Sequence, residues 1–183
     1  MTTILANHID GRATEPMDGS YLDDIDPATG AVHALVPASE AGDVALAVEA
    51  AKRAFPAWSA TPAAHRSRIL VRLADALEAR LDEFVRAESI DSGKPVKLAR
   101  SLDIPRAVAN LRFFATAILH TGSDLFPTDD RALNYPLRRP RGVAGLISPW
   151  NLPLYLLSWK AAPALATGNA VVAKPSGLTP ATA

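Results

Sequence analysis

Apolar residues recur along the first half of the chain at the three- and four-residue spacing of amphipathic helices. The first stripe predicts a helix with Ser39 as its N-cap and with an end or bend at Pro56. The second predicts a helix from Thr61 (N-cap) and Pro62 (N1) to Gly93, whose backbone suits the C′ position. The two stripes comprise Val44, Val48, Ala51 and Phe55, and then Ile69, Leu70, Leu73, Leu77, Leu81 and Phe84.

Turn signals divide the remaining N-terminal segments. Asp10-Gly11 predicts a tight hairpin turn, and Asp26-Pro27-Ala28-Thr29-Gly30 predicts a second turn in which glycine supplies a positive φ. A short strand is expected from Val32 until Pro37. A third helix is predicted to begin near Pro105 and to end at Gly122, with Val108, Leu111, Phe114 or Ala115, and Ile118 on its apolar face.

The last third of the chain has a different pattern. Residues Ala132–Arg139 alternate like an edge strand, and the apolar run Gly142–Ser148 is typical of a strand buried on both faces of a parallel sheet. Leu152–Thr167 predicts a buried helix that stops at Gly168-Asn169, and Ala170–Ala173 predicts a second buried strand. Strand, crossover helix and strand form a right-handed βαβ unit, so the fold class is α/β.

Composition narrows the function. The 183 residues include 19 basic and 19 acidic side chains, so no net charge favours nucleic acid or an anionic membrane. The absence of cysteine excludes disulfides, thiolate metal sites and a thiol nucleophile within these residues, and we expect no metal site. The first residues lack a signal-peptide pattern, and the longest apolar stretch, Leu152–Ala166, is broken by Lys160 and Pro163. We therefore expect a cytoplasmic protein.

Candidate chemistry lies where the two predicted parallel strands end, since ligands of open α/β sheets bind beyond their carboxyl ends. Asn151 is either the N-cap of the following helix or an amide that donates to a developing oxyanion. Trp150 is either a core aromatic residue or a wall of a cofactor groove. Lys174 is either a solvated surface residue or a donor to ribose hydroxyls or a phosphate.

The order and spacing of several motifs resemble the NAD(P)-dependent aldehyde dehydrogenase superfamily. These motifs are Asp26–Gly30, Asp91-Ser92-Gly93-Lys94-Pro95, Ser148-Pro149-Trp150-Asn151-Leu152-Pro153-Leu154, Trp159-Lys160, Pro163–Asn169, Val171–Ser176 and Thr179-Pro180. The resemblance implies an aldehyde dehydrogenase-like fold: strands and helices of the cofactor-binding domain over 1–131, part of an oligomerisation hairpin over 132–140, and the first, incomplete βαβ unit of a Rossmann-like NAD(P) domain over 141–183. Thr179-Pro180 also predicts a helix start three residues before the last residue, so we expect a truncated chain.

The resemblance implies roles for individual residues. Asn151 supplies the oxyanion donor, and Lys174 binds the adenosine ribose. Ile147, Ser148, Pro149 and Trp150 line the path of the NAD(P) ribose and nicotinamide, whereas Leu152, Tyr155 and Trp159 face the substrate tunnel. Many NAD-preferring members carry glutamate where this chain has Gly177, so the choice between NAD and NADP stays open, with NAD slightly favoured. Ser176 offers a hydroxyl to a 2′-phosphate.

Two further stretches, Glu88–Pro95 and Asp103–Asn110, are similar to the 2-hydroxymuconic and 2-aminomuconic semialdehyde dehydrogenases of aromatic catabolism. Within them, Arg106 is either a surface residue or the partner of a substrate carboxylate, with Asn110 one turn further along the same helix face. We therefore expect part of an enzyme that oxidises a small aldehyde. The complete enzyme is expected to be a dimer or a tetramer. The alternative is a non-catalytic assembly module that uses Ala132–Arg139 to pair with a full-length homologue.

The 183-residue chain is expected not to oxidise aldehydes by itself. With no cysteine, it has no thiolate to attack the aldehyde carbon. The measurement is the absorbance of reduced nicotinamide after mixing purified chain, NAD or NADP, and several aldehydes. Turnover above that of heat-denatured protein would contradict the expectation.

Overall fold

The computed structural model describes residues 2–183, and its N-terminal part is built from short strands. Their bounds are Thr3–Ile4 (β1), Asn7–Ile9 (β2), Arg12–Thr14 (β3), Tyr21–Ile25 (β4) and Val32–Pro37 (β5). β5 is the central strand of a sheet in which β1 pairs with it in parallel and β4 antiparallel, while β2 and β3 form a separate hairpin. Asp10 (φ 54°) and Gly11 (φ 74°) close that hairpin, as the sequence predicts.

The helices that follow supply most of the core. They are Ala41–Ala60 (α1), Ala63–Ala79 (α2), Leu81–Ser92 (α3), Val96–Leu98 (α4) and Ile104–Ala117 (α5), with a π-helical segment Ala99–Asp103 before α5 and a 3₁₀ turn Ile118–His120 after it. Leu70 of α2, Val85 of α3 and Ile104 of α5 are almost completely buried and belong to one apolar cluster. The predicted apolar faces are confirmed at five positions in this cluster, Leu70, Leu77, Val108, Leu111 and Ala115. The prediction is wrong for Leu73 (44% exposed) and for Val44 of α1 (50% exposed), which lie outside the core.

Helix boundaries differ from the predictions at specific caps. The N-cap of α1 is Glu40 and not Ser39, because the carboxylate of Asp43 accepts from the Glu40 amide at 2.9 Å and from the Met17 amide at 3.0 Å. Pro56 lies inside α1 and does not end it. Likewise, the residue before α2 is Pro62, which takes the N-cap position predicted for Thr61.

Two other helix boundaries in the structure differ from the predicted ones. The second predicted helix is interrupted at Arg80, which ends α2 and precedes α3, so Leu81 begins a new helix. Gly93 does end α3 in the left-handed conformation, with φ 68°. Gly122 lies beyond the third predicted helix, which gives way to the 3₁₀ turn after Ala117.

The predicted βαβ unit is present. Strands Val143–Ile147 (β8) and Ala170–Lys174 (β9) pair in parallel, and helix Pro153–Ala166 (α6) connects them. The side-chain oxygen of Asn169 accepts from the amides of Arg141 (2.7 Å) and Gly142 (3.2 Å), which joins the start of one strand to the start of the other. α6 is fixed near its end by Trp58 Nε1, which donates to the Leu165 carbonyl at 3.2 Å.

Burial of these strands is lower than the sequence predicts. In β8 only Leu146 is buried, and Ile147 is 71% exposed. The reason is that this sheet contains only two strands among residues 2–183, so each has a single neighbour. The predicted strand Ala132–Arg139 is also shorter: β7 (Ala132–Asn134) pairs with the three residues of β6 (Phe126–Thr128) and ends before Pro136, which has no amide hydrogen to donate.

No helix in the described part of the chain has both the length and the apolar character that crossing a membrane requires. Thr179-Pro180 does not begin a helix; residues 177–182 form turns, and Thr179 and Thr182 are buried.

Buried carboxyl groups join the N-terminal sheet, α3 and the last turn. Asp24 of β4 and Asp91 of α3 are both fully buried, and His33 Nε2 lies 3.4 Å from Asp24 Oδ2 and 3.5 Å from Asp91 Oδ1. The Ala181 amide donates to Asp91 Oδ2 at 2.9 Å. Burial raises the pKa of Asp91 to about 8; the Ala181 amide opposes this shift, and the neighbouring Asp24 adds to it.

Asp91→Asn is expected to reduce the loss of thermal stability of the chain on going from about pH 5 to about pH 9. Because the pKa of Asp91 in the folded chain lies above its ordinary value, its contribution to stability is complete below about pH 4 and is lost as the pH rises through about 8. Asparagine has no charge to bury at high pH. Thermal unfolding followed by circular dichroism across this pH range measures the effect.

The matched control is Asp82→Asn, the same change on the exposed face of α3. It should leave the pH dependence of the melting temperature close to that of the unaltered chain. If Asp91→Asn changed the melting temperature by the same amount at every pH, the pH dependence assigned to Asp91 would be contradicted.

Candidate active site at the ends of the parallel strands

The segment between β8 and α6, Ile147–Asn151, forms a loop where the two parallel strands end. Ile147 and Lys174 are partners in the strand register, and the Ser148 amide donates to the Lys174 carbonyl at 3.2 Å. The prediction that the residues after the first parallel strand and Lys174 lie at one edge of the sheet is therefore confirmed. Ser148 is buried, whereas Trp150 is 60% exposed, so its ring is not a core aromatic residue among the described residues.

Asn151 does not cap α6. The N-cap of this helix is Leu152, and no side chain caps it. Asn151 is exposed, and its backbone oxygen rather than its side-chain amide makes the hydrogen bond with Lys94, which lies just after α3. Of the two alternatives that the sequence allows, the cap is thus wrong. The amide lies at the carboxyl edge of the sheet, and its role as an oxyanion donor stays a prediction.

Side chains from other elements hold the backbone of the Ile147–Asn151 loop. Three of its carbonyl oxygens accept hydrogen bonds from residues that are distant in sequence or lie on α6. The pairs are Lys160 Nζ with Ile147 O, Thr179 Oγ1 with Trp150 O (3.1 Å), and Lys94 Nζ with Asn151 O (3.1 Å). The loop is therefore fixed from three directions while the side chains of Trp150 and Asn151 stay exposed.

Lys94 reaches the loop from a buried ionic cluster, which we define as Lys94, Glu88, Asp103 and Thr182. Its ammonium lies 2.5 Å from Asp103 Oδ2 and 3.5 Å from Glu88 Oε1, and both carboxyl groups are fully buried. Thr182 Oγ1 donates to Glu88 Oε2 at 2.6 Å. Burial raises the pKa of Glu88, and the Thr182 hydroxyl and the Lys94 charge oppose that rise. The role of Lys94 here has no signature in the sequence beyond its place in the Gly93-Lys94-Pro95 motif.

The second strand leads to the predicted cofactor residues. Lys174 is exposed at the sheet edge, and the Ser176 hydroxyl accepts from the Leu178 amide at 3.1 Å within the turn that follows. Gly177 is exposed, and the position a Cβ would occupy there has no atom within 4 Å beyond its chain neighbours. A longer side chain would therefore fit at position 177. The carboxylate that many NAD-preferring members have at this position is absent because residue 177 is glycine, and not because the structure lacks space for a side chain.

The predicted substrate residues meet on the facing sides of α5 and α6. The Arg106 guanidinium lies over the Tyr155 ring, with its carbon 5.1 Å from the ring centroid, and the Tyr155 and Trp159 rings are 5.2 Å apart. Arg106 and Trp159 are exposed, Tyr155 is buried and Leu152 is half-buried. The structure thus brings three predicted substrate residues into one continuous contact.

Asn110 lies one turn after Arg106 on α5, but its side chain is not free to meet a substrate. Its amide is occupied by α6: Nδ2 donates to Ser158 Oγ at 2.9 Å, and Oδ1 accepts from Trp159 Nε1 at 2.7 Å. The reason is its position on α5 directly facing α6, where both of its polar atoms find partners. Asn110 therefore orients the Trp159 ring.

Comparisons with known proteins agree with this geometry. Residues 14–183 match the model of the "Aldehyde dehydrogenase family". The chain is 55% identical over 181 residues to 2-aminomuconic semialdehyde dehydrogenase of Danio rerio, covering 98% of this chain and 37% of that protein. It is 44% identical over 183 residues to 2-hydroxymuconic semialdehyde dehydrogenase of Pseudomonas sp. (strain CF600), covering 97% and 38% respectively.

A solved structure is similar over the full described fold. PnpE from Pseudomonas sp. WBC-3, crystallised in complex with nicotinamide adenine dinucleotide, superposes with a TM-score of 0.93 at 44% identity and covers 100% of this chain and 37% of its own. The chain therefore spans a little over a third of the length of these relatives. Since one family model matches nearly all of its residues and its relatives share about half of them, the chain belongs to the aldehyde dehydrogenase family.

Proposed function

We propose that the chain is the N-terminal part of an NAD(P)-dependent aldehyde dehydrogenase that oxidises an acidic semialdehyde to the corresponding acid. The observation that carries the proposal is the Ile147–Asn151 loop: its carbonyl groups are bound by other elements, and the Asn151 side chain is exposed at the strand ends. A neutral amide on a backbone held in this way suits an oxyanion that forms during the reaction.

The reaction divides between this chain and the remainder of a full-length enzyme. In the complete protein a cysteine thiolate from outside these residues adds to the aldehyde carbon, and the carbonyl π electrons move to oxygen. The Asn151 amide donates a hydrogen bond to that oxygen. Ile147, Trp150 and Lys174 would hold NAD(P) at the sheet edge, and the bound nicotinamide would supply the acceptor for the hydride from the former aldehyde carbon. Water, deprotonated by a glutamate outside this chain, then releases the acid and returns the thiolate.

The residues at the sheet edge fit a dinucleotide. Lys174 presents an exposed ammonium to ribose hydroxyls or a phosphate, and Trp150 and Ile147 present apolar surface beside it. Gly177 gives no carboxylate for the ribose hydroxyls, and no atom beyond its chain neighbours lies within 4 Å of where its Cβ would be, so nothing at this position excludes a 2′-phosphate. We therefore propose that either NAD or NADP serves, with NAD slightly favoured by the relative crystallised with it.

A second role, assembly with a full-length homologue, is supported by the β6–β7 hairpin and the residues that follow it, up to Leu137. Phe126, Leu133, Tyr135 and Leu137 are each more than half exposed, an apolar surface of the kind that a partner covers. This role and the enzymatic one are compatible, because a complete enzyme of this kind is proposed to be a homo-oligomer.

Asn151→Ala is expected to lower kcat by about 10²–10³-fold while KM for the aldehyde changes much less. The donor acts mainly when negative charge develops on oxygen, so its loss affects the transition state more than binding. The variant is made in a chimera in which residues 1–183 replace the aligned segment of the Danio rerio relative. Steady-state kinetics and the melting temperature are measured together.

Asn7→Ala, in the β2–β3 hairpin, is the matched control and should leave kcat near that of the unaltered chimera. Because Leu152 and not Asn151 caps α6, the melting temperature of Asn151→Ala should stay close to the reference. A normal kcat in Asn151→Ala would remove this residue from the reaction.

Arg106→Ala is expected to raise KM selectively for an acidic semialdehyde, by an amount equivalent to about 1.5–3 kcal/mol for a lost charged hydrogen bond. Arg106 is exposed beside Tyr155, and none of the ion pairs among residues 2–183 involves it. A guanidinium held this way suits a substrate carboxylate. The chimera is assayed with 2-hydroxymuconic semialdehyde and with a neutral aldehyde of similar length.

Arg112→Ala provides a control on the same helix, since Arg112 pairs with Asp75 and Glu78 away from α6. It should affect both substrates equally. Equal changes in KM for the acidic and neutral substrates in Arg106→Ala would return that residue to the solvated surface.

A further inference from the structure

Lys94 connects the buried interior to the backbone of Asn151. It is 57 residues distant from Asn151 in sequence, and its ammonium donates to the Asn151 carbonyl at 3.1 Å. The side chain of Lys94 is only 11% exposed. An ammonium has three N–H donors; Glu88 and Asp103 lie beside this one, and the Asn151 carbonyl is its third partner, so the loop is bonded directly to the buried ionic cluster.

The position of this ammonium is set by groups that have little freedom. Gly93 ends α3 at φ 68°, and a Cβ there would lie 3.1 Å from Pro27 Cβ, so the turn that presents Lys94 requires glycine. Ser89 Oγ donates to the Lys94 carbonyl at 2.6 Å. The carboxyl groups of Glu88 and Asp103, both fully buried, then determine where the ammonium lies.

Fixing the Asn151 carbonyl restricts the direction of the Cα–Cβ bond from which its side chain extends. The peptide group that follows Asn151 is planar, so a bond to its oxygen restricts the rotation that aims the neighbouring side chain. The preceding peptide is held in the same way, because Thr179 donates to the Trp150 carbonyl at 3.1 Å. A donor aimed at a transition state must be held to within about half an ångström, which a free loop does not achieve.

We propose that Lys94 is a positioning residue for catalysis: by binding the Asn151 carbonyl from the buried ionic cluster, it aims the Asn151 amide at the reacting oxygen. This inference rests on the proposed role of Asn151. It assigns to the cluster a task in the reaction as well as in the fold.

The test is a double-mutant cycle in the chimera, with Asp103→Asn as the common background. In this background Lys94 still has Glu88 as its partner, and removing Lys94 leaves a single buried carboxyl that becomes neutral by protonation. Lys94→Met is added with Asn151 present and with Asn151→Ala. Where the methionine variant gives no soluble enzyme, Lys94→Gln replaces it, because glutamine leaves an amide for Glu88 and is one atom shorter than lysine.

With Asn151 present, Lys94→Met is expected to lower kcat by on the order of 10–100-fold, with KM for the aldehyde changed by less than about threefold. With Asn151→Ala, the same substitution should change kcat by less than about twofold, because the group that Lys94 aims is already gone. Lys94→Arg, which retains the cation and its donors, should recover part of the lost kcat.

Equal factors in the two Asn151 backgrounds would overturn the proposal, since Lys94 would then act independently of Asn151. An unchanged kcat in Lys94→Met with Asn151 present would overturn it as well. A normal kcat in Asn151→Ala alone is a different outcome: it rejects the proposed role of Asn151 itself, and with it the inference drawn from that role.

Discussion

The ammonium group of Lys94 and the carboxyl groups around it are the constraint on which the rest of the structure depends. Burying Glu88 and Asp103 completely is unfavourable unless each finds a charged or hydrogen-bonding partner. Lys94 meets both, and Thr182 meets Glu88. One set of polar contacts thereby joins α3, the π-helical segment, the last turn and the Ile147–Asn151 loop.

This arrangement explains why a loop rich in exposed apolar residues has a defined backbone. Ile147 and Trp150 have little packing among the described residues, so apolar contacts do not hold them. Hydrogen bonds to carbonyl oxygens hold the loop instead, and they leave its side chains available. An active site benefits from this division, because rigidity is provided by the backbone and chemistry by the side chains.

The sequence predicts those parts of the fold that depend on local pattern. Leu70 and Leu111 mark the buried helix faces through their spacing, and Gly93 marks a helix end through its backbone freedom. The N-cap of α1 is missed because Asp43 bonds to Met17, a contact between segments 26 residues apart. The same distinction applies to the site. The strand ends predict that Asn151 and Lys174 lie at one edge of the sheet. No spacing in the sequence predicts that Lys94 contacts the Ile147–Asn151 loop or that Asn110 contacts α6.

The contacts of the last turn with α3 also bear on how the chain reaches this fold. Ala181 bonds to Asp91 and Thr182 to Glu88 across 90 and 94 residues of sequence, so these bonds close loops of about half the chain. Closing long loops costs chain entropy before any contact forms, and contacts of high sequence separation slow folding. Until residues 181 and 182 have been synthesised and have docked, Asp91 and Glu88 lack these partners and are better solvated by water than by protein. The helices can form early through local contacts, but the interior around α3 becomes dry only after the turn at residues 181 and 182 has docked.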